Sequence, residues 1–286
     1  MKQLRICSSL NLHQNPGEEI SAYIKAGLAF HKKMGFDAAD LSLEKMGLAA
    51  KDWQVIAEQA LEDAREVGIR IEQCHLPFST AICKKPELLP AFCEKMHHAI
   101  DAAAFLGVEY AVLHPNTTTL PLEDFDRTAQ YDTVMNHLAP FIEHGNRVGL
   151  NIVVENMRVV HGSTPVHRYC QDPDELCDIA DALGIGVCWD FGHAHISGVT
   201  QSEGLAYVGK HLKVLHVNDN FADDDIHLPP FIGTLNWRDA MHGLALAEFD
   251  GLFNYELSTG RVPANMKEQF ARYIVAAARE LMTYIE

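Results

Sequence analysis

Seven side chains able to hold a metal ion or move a proton each stand just after a short apolar run. They are His75 in IEQCHLPF, His114 in AVLHPN, Glu155 in NIVVENM, Asp190 and His193 in VCWDFGH, His216 in VLHVND and Glu256 in FNYELS. Carboxylates mixed with imidazoles suit Mn²⁺, Co²⁺, Zn²⁺ or Mg²⁺. Anions gathered in a cavity repel one another unless a cation neutralises them, which gives such a set a reason to bind metal. One histidine at the end of a run is ordinarily a hydrogen-bonded core residue. Six successive runs ending this way make a metal site the better reading. The segment ADDDIHLPPFIGTLNW adds Asp225 and His227 as an Asp-x-His pair; an acidic, solvated loop is the plainer reading of the same residues. Pro229, Pro230 and Gly233 then predict a rigid turn before Trp237 opens a helix.

These side chains need a frame that brings distant run ends together. β-rich runs are expected at 4–8, 37–42, 69–74, 110–114, 151–155, 186–190, 214–217 and 253–256. Amphipathic helical stretches are expected at 18–34, 52–67, 86–106, 125–148, 172–183 and 266–285. Gly35, Gly68, Gly107 and Gly149 each follow a helix, where a left-handed C-cap is wanted. Strand–helix alternation over the whole chain predicts one (β/α)8 TIM-barrel domain, residues 1–286. The alternative, an open doubly wound sheet, would more naturally carry a glycine-rich phosphate loop after its first strand, and NLHQNPGEE is not one. A barrel gathers its strand ends on one face, where active sites lie.

Composition narrows the partners. The 286 residues carry a formal net charge of -16, which repels phosphate backbones and counts against nucleic acid and anionic membrane. No apolar run approaches the roughly 20 residues needed to cross a bilayer, and MKQLRICSSL lacks the apolar core of a signal peptide. Seven scattered cysteines with no CxxC pair suit reduced thiols and a cytoplasmic setting.

The motifs HLPF, LHPN, VVENM, WDFGH, LHVND, DIHLPPFIGTLNW and NYEL, in that order over residues 75–256, resemble the xylose isomerase-like TIM barrels. That superfamily includes sugar and sugar-phosphate isomerases and epimerases and the related endonuclease IV-type apurinic endonucleases. In the isomerase and epimerase branch the resemblance implies one divalent metal, Mn²⁺ foremost, held by Glu155, Asp190, His216 and Glu256. The metal would bind two adjacent sugar oxygens. Glu155 and Glu256 would be the catalytic pair, one removing a proton and the other returning one through an enediolate. His75, His114, His193, Asp225, His227, Arg158 and Trp237 would be substrate-binding, with His193 touching a substrate oxygen. The endonuclease branch uses three zinc ions and nine ligands. The matching positions here are His75, His114, Glu155, Asp190, His193, His216, Asp225, His227 and Glu256.

The expected function is therefore a metal-dependent isomerase or epimerase acting on a keto-sugar or polyol. DIHLPPFIGTLNW is close to the H-x-P-G-x-G-x-x-D-W run frequent in the sugar branch, with Pro230 and Phe231 where Pro-Gly is usual and Asn236 where Asp is usual. The loops HPNTTTLPLED and MRVVHGSTPVHRY, with Arg158, His161, His167 and Arg168, and also Arg261, are candidates to line a sugar pocket. A trinuclear zinc nuclease is the alternative, and the acidic loops PLEDFD, NFADDD and QDPDEL oppose it. A dehydratase or carbon–glycoside lyase on the same groups, or a barrel that only binds a ligand, are further alternatives. Family habit implies a homo-oligomer, dimer or tetramer.

Overall fold

The computed structural model describes residues 4–12, 19–115 and 121–285. Glu18, expected to start a helix, the central part of NLHQNPGEE and residues 116–120 of the loop HPNTTTLPLED lie outside the described residues.

Eight strands form: β1 Arg5–Ser9, β2 Ala38–Ser42, β3 Arg70–His75, β4 Tyr110–Leu113, β5 Ile152–Glu155, β6 Gly186–Asp190, β7 Leu212–His216 and β8 Leu252–Tyr255. Each pairs in parallel with its sequence neighbour, β8 pairs with β1, and a parallel bridge between Val217 and Tyr255 brings β7 to β8. The sheet is thus the expected barrel. Nine α-helices are found among the described residues: α1 Ile20–Met34, α2 Trp53–Val67, α3 Leu89–Leu106, α4 Arg127–Val148, α5 Pro173–Leu183, α6 Phe191–Ile196, α7 Gln201–Val208, α8 Trp237–Leu246 and α9 Lys267–Met282. The first turn expected for the third helix is a separate 3-10 turn, Pro86–Leu88. Gly35, Gly68, Gly107 and Gly149 all take positive φ after their helices. None of these helices is long and apolar enough to cross a membrane.

Strand alternation sorts the core. Side chains of a strand point to opposite faces in turn. Ile152 and Val154 of β5, Val187 and Trp189 of β6, and Leu215 of β7 pack outward against the helices. Val112, Val153, Cys188 and Val214 pack together inside the barrel. Two residues further along the chain from those four come His114, Glu155, Asp190 and His216. An apolar floor inside the barrel therefore fixes which residues face its axis one layer above.

Candidate metal centre

Glu155 is the hub. It is fully buried at the end of β5. Its Oε1 lies 2.9 Å from His216 Nδ1, and its Oε2 lies 3.1 Å from His114 Nε2 and 3.5 Å from His75 Nε2. His216 Nδ1 is also 3.2 Å from Glu256 Oε2. Glu155 Oε2 has no hydrogen-bond partner although it is buried. An orphaned carboxylate oxygen is costly unless something positive is meant to meet it.

Three imidazoles spend Nδ1–H on a backbone carbonyl and turn Nε2 inward, the arrangement common among metal ligands. His75 Nδ1 is 2.7 Å from the Leu76 carbonyl, His193 Nδ1 2.7 Å from that of Asn156, and His227 Nδ1 2.9 Å from that of Glu256. A carbonyl only accepts, so each Nδ1 carries the proton and Nε2 turns to the centre. His75 and His114 meet with Nε2 atoms 3.0 Å apart. Donor atoms of Glu155, Asp190, His216 and Glu256 lie within 4.8 Å of one another; so do those of His75, His114 and Glu155, and those of Asp190, His193 and His227. Chemically, the residues fit a divalent cation.

Asp190 is held from several directions. Its carboxylate caps α6, taking the His193 N–H at 2.7 Å on Oδ1, which sets His193 over the centre. Asn218 Nδ2 donates to Oδ2 at 2.7 Å. Asn156 binds the Asp190 backbone on both sides. Gly192 is required where α6 passes Asn218, because a Cβ there would come within 1.9 Å of Asn218 Oδ1.

Asp225 completes the outer side. Its Oδ2 lies 3.3 Å from His193 Nε2, and its Oδ1 lies 3.1 Å from His227 Nε2. Arg158 Nε sits 3.2 Å from Asp225 Oδ2. The loop between is closed by Asp219, whose fully buried carboxylate accepts the N–H groups of Asn220, Phe231 and Leu235 and the indole N–H of Trp237. Trp237 is therefore buried against Phe191 and braces the loop. Phe231, standing where glycine is usual, holds φ at +71, so the left-handed bend persists without glycine.

Burial opposes ionisation of Glu155, but His216 and His114 outweigh it and hold the carboxyl well below the usual range. Glu256 is likewise held low by His216 and His227 against its burial. Burial, with the charges of Glu155 and Asp225, pushes the Asp190 carboxyl up against His193 and His227. Burial also lowers His114 to about 4, despite Glu155. His193 and His227 are also opposed by burial, yet Asp190 and Asp225 raise the first to about 9, and Asp225 and Glu256 raise the second to about 10. Both glutamates are thus held ionised. Cys188, close to His216 and Glu155, keeps its proton because burial pushes its thiol far up.

Other expected residues go elsewhere. His167 turns to Glu175, 3.0 Å from both carboxylate oxygens, and His161 bonds the Ile196 carbonyl. Arg168 lines a small pocket with His114, Phe78 and Phe92. His195, on α6, bonds Thr234. Arg261 is exposed. Residues that sequence reasoning did not single out are Asn156, Asn218, Asp219 and the buried Asp40–Asn254 pair, 2.6 Å apart inside the barrel. The first three stand inside the motifs VVENM and LHVND or next to them, so position beside a ligand was the available signal.

A family model described as xylose isomerase-like TIM barrel matches residues 28–277. The chain belongs to this family. Among curated proteins, an uncharacterized protein of Methanocaldococcus jannaschii is 26% identical over 249 residues, covering 84% of this chain and 80% of that one. A D-tagatose 3-epimerase-like protein superposes with a TM-score of 0.74 at 19% identity, covering 98% of each chain. The 3-keto-D-glucoside 4-epimerase of E. coli does so with the same TM-score at 18% identity, covering 97% of this chain and 99% of that one. At these identities the structures share the fold with this xylose isomerase-like barrel.

Proposed function

We propose that the protein is a divalent-metal-dependent sugar epimerase or isomerase, Mn²⁺ being the preferred ion. The observation that carries this is the set Glu155, Asp190, His216 and Glu256, two glutamates flanking one imidazole at the top of the barrel, with one buried carboxylate oxygen unpartnered. Structural neighbours named as sugar epimerases support it. The acidic charge suits a small neutral substrate better than a polyanion.

The four ligands would be those same residues. When bound, the ion would hold two adjacent sugar oxygens and make a C–H beside a carbonyl more acidic. The protein's own groups do the rest. Glu155 is fully buried and rigid on its strand, whereas the Glu256 side chain is about 30% exposed and faces the mouth. One carboxylate, ionised, takes the proton, and the other, which must carry a proton at that step, returns it to the opposite face. His193 and Asp225 bind a substrate hydroxyl, and the walls around His75 and His114 keep water from the carbanion.

A second reading, phosphodiester cleavage by several zinc ions, is favoured by one observation: His75, His114 and Glu155 converge as a further ligand group. One experiment separates the two. Purified protein is stripped with chelator, reloaded with Mn²⁺ or Zn²⁺, and assayed on a panel of ketoses and keto-glycosides beside abasic DNA. We expect epimerisation that falls below about 1% on stripping and returns with Mn²⁺, and no nicking. Zinc-dependent nicking without sugar turnover overturns the proposal.

A further inference from the structure

The Glu155 and Asp225 sides of the centre present similar donors but different charges. On the Glu155 side the carboxylate lies against His75, His114 and His216, which lose their protons to a metal, and no arginine or lysine among the described residues pairs with it. On the Asp225 side His193, His227 and Asp225 supply two nitrogens and a carboxylate at 3.1–3.3 Å, enough in type and number for another ion. Yet Arg158 reaches the same carboxylate from the β5 loop, 3.2 Å from Asp225 Oδ2, and also bonds the Val159 carbonyl. The two side chains are matched in exposure, 21% and 20%, and neither is on the open surface.

We propose that Arg158 is a built-in cation that takes the place of a metal ion at the His193–Asp225–His227 position, so that the protein loads metal on the Glu155 side only. A guanidinium has no lone pair to offer a metal and cannot shed its charge. A divalent ion on His193 and His227 would stand beside that fixed charge and share the Asp225 carboxylate with it. Repulsion at such range in a partly buried site weakens binding by roughly 100-fold or more. Sequence points the same way. Arg158 lies three residues after Glu155, so one short segment delivers both a metal ligand and the cation that closes the neighbouring position. The consequence is chemical: the centre keeps a set of ligands suited to several metals but works with the positive charge of an arginine on one side. With no second ion on it, Asp225 keeps lone pairs that can accept from a sugar hydroxyl. This inference rests on the reading that Glu155 and its partners hold metal.

The test counts metal directly. Wild type, Arg158→Gln, Arg158→Lys and the double variant Arg158→Gln with His227→Ala are stripped, equilibrated with zinc by dialysis, and analysed for zinc per chain. Circular dichroism checks that each is folded. We expect Arg158→Gln to bind one more equivalent than wild type. The double variant should lose that equivalent, and Arg158→Lys, which keeps the charge, should match wild type. Equal zinc in wild type and Arg158→Gln overturns the inference, as does an extra equivalent that survives in the double variant. The difference between variants reads this inference whatever the wild-type count. A wild type with no zinc at all contradicts instead the reading of the Glu155 side.

Discussion

The carboxylates Glu155 and Asp225 show two ways of building one site. Glu155 ends a strand, is fully buried, and has one oxygen without a hydrogen bond. Asp225 rides a loop with two imidazoles and an arginine within 3.3 Å, and its Oδ1 is likewise without a hydrogen bond. Sheet geometry places the first, since Val153 two residues earlier packs inside the barrel and alternation does the rest. Nothing so regular places the second. It depends on Asp219, which gathers four donors, and on Asn220, whose amide binds the Gly192 carbonyl and joins the loop to α6. A strand end positions a ligand by default, whereas a loop needs a buried hydrogen-bonding hub.

Substitution on each side should separate the two. Glu155→Gln and Glu256→Gln should each lower kcat by at least about 1000-fold, as loss of an acid–base group does, and Glu155→Gln should also lose bound metal. Asp225→Asn should lower kcat/KM about tenfold with metal content unchanged, if it binds substrate and no metal as proposed. Steady-state kinetics with metal analysis checks all three. Near-normal kcat in either glutamine variant rules out the paired acid–base role.

A smaller effect sharpens the contrast between ligands and their supports. Asn156 clamps the Asp190 backbone and takes the His193 ring N–H on its carbonyl. Asn156→Ala should weaken metal binding by about 10- to 100-fold while leaving the fold intact, the usual cost of losing a group that orients a ligand. Titration of stripped protein with Mn²⁺ measures it. An unchanged affinity shows that Asp190 needs no clamp.

The smallest effect comes from a histidine with no carboxylate partner. His137 lies between Phe92 and Phe141, and burial lowers it to about 4. His193 and His227 go the other way because carboxylates face them. A depressed histidine is neutral in the fold. Its contribution is fully present above the unfolded value near 6.5 and is lost as pH falls from there towards 4. Since the ring is partly exposed, the loss should be roughly 1–2 kcal/mol. Urea melts at pH 7 and pH 4.5 should show His137→Leu losing that much less stability than wild type. Parallel losses in the two proteins mean that His137 does not titrate in this window.

The barrel was legible because its signals are local and repeated. All eight strands fall within two residues of their expected starts, and four glycines close helices where left-handed caps were expected. Two shorter helices, α6 and α7, escaped because six and eight residues give too few turns for a periodic stripe. The candidate ligand side chains were legible as types at strand ends, but not their pairing. Sequence could not say that Arg158 meets Asp225, since the two are joined only through folded loops. Nor could it show Trp237 buried on Asp219, because an aromatic at a helix start reads equally as a wall or a brace. Phe231 is instructive in the other direction: a phenylalanine holds a left-handed backbone here, at a cost of about 1 kcal/mol.

The central claim is that Glu155 and Glu256 move a proton at a sugar carbon beside a carbonyl. Solvent exchange tests it most directly. Metal-loaded protein is incubated in D₂O with the ketoses and keto-glycosides, quenched, and the sugars weighed by mass spectrometry. We predict one deuterium gained at the carbon next to the carbonyl with wild type, and none after chelation or with Glu155→Gln. Deuterium gain that persists in both glutamine variants, or epimerisation with no gain from wild type, would contradict the account.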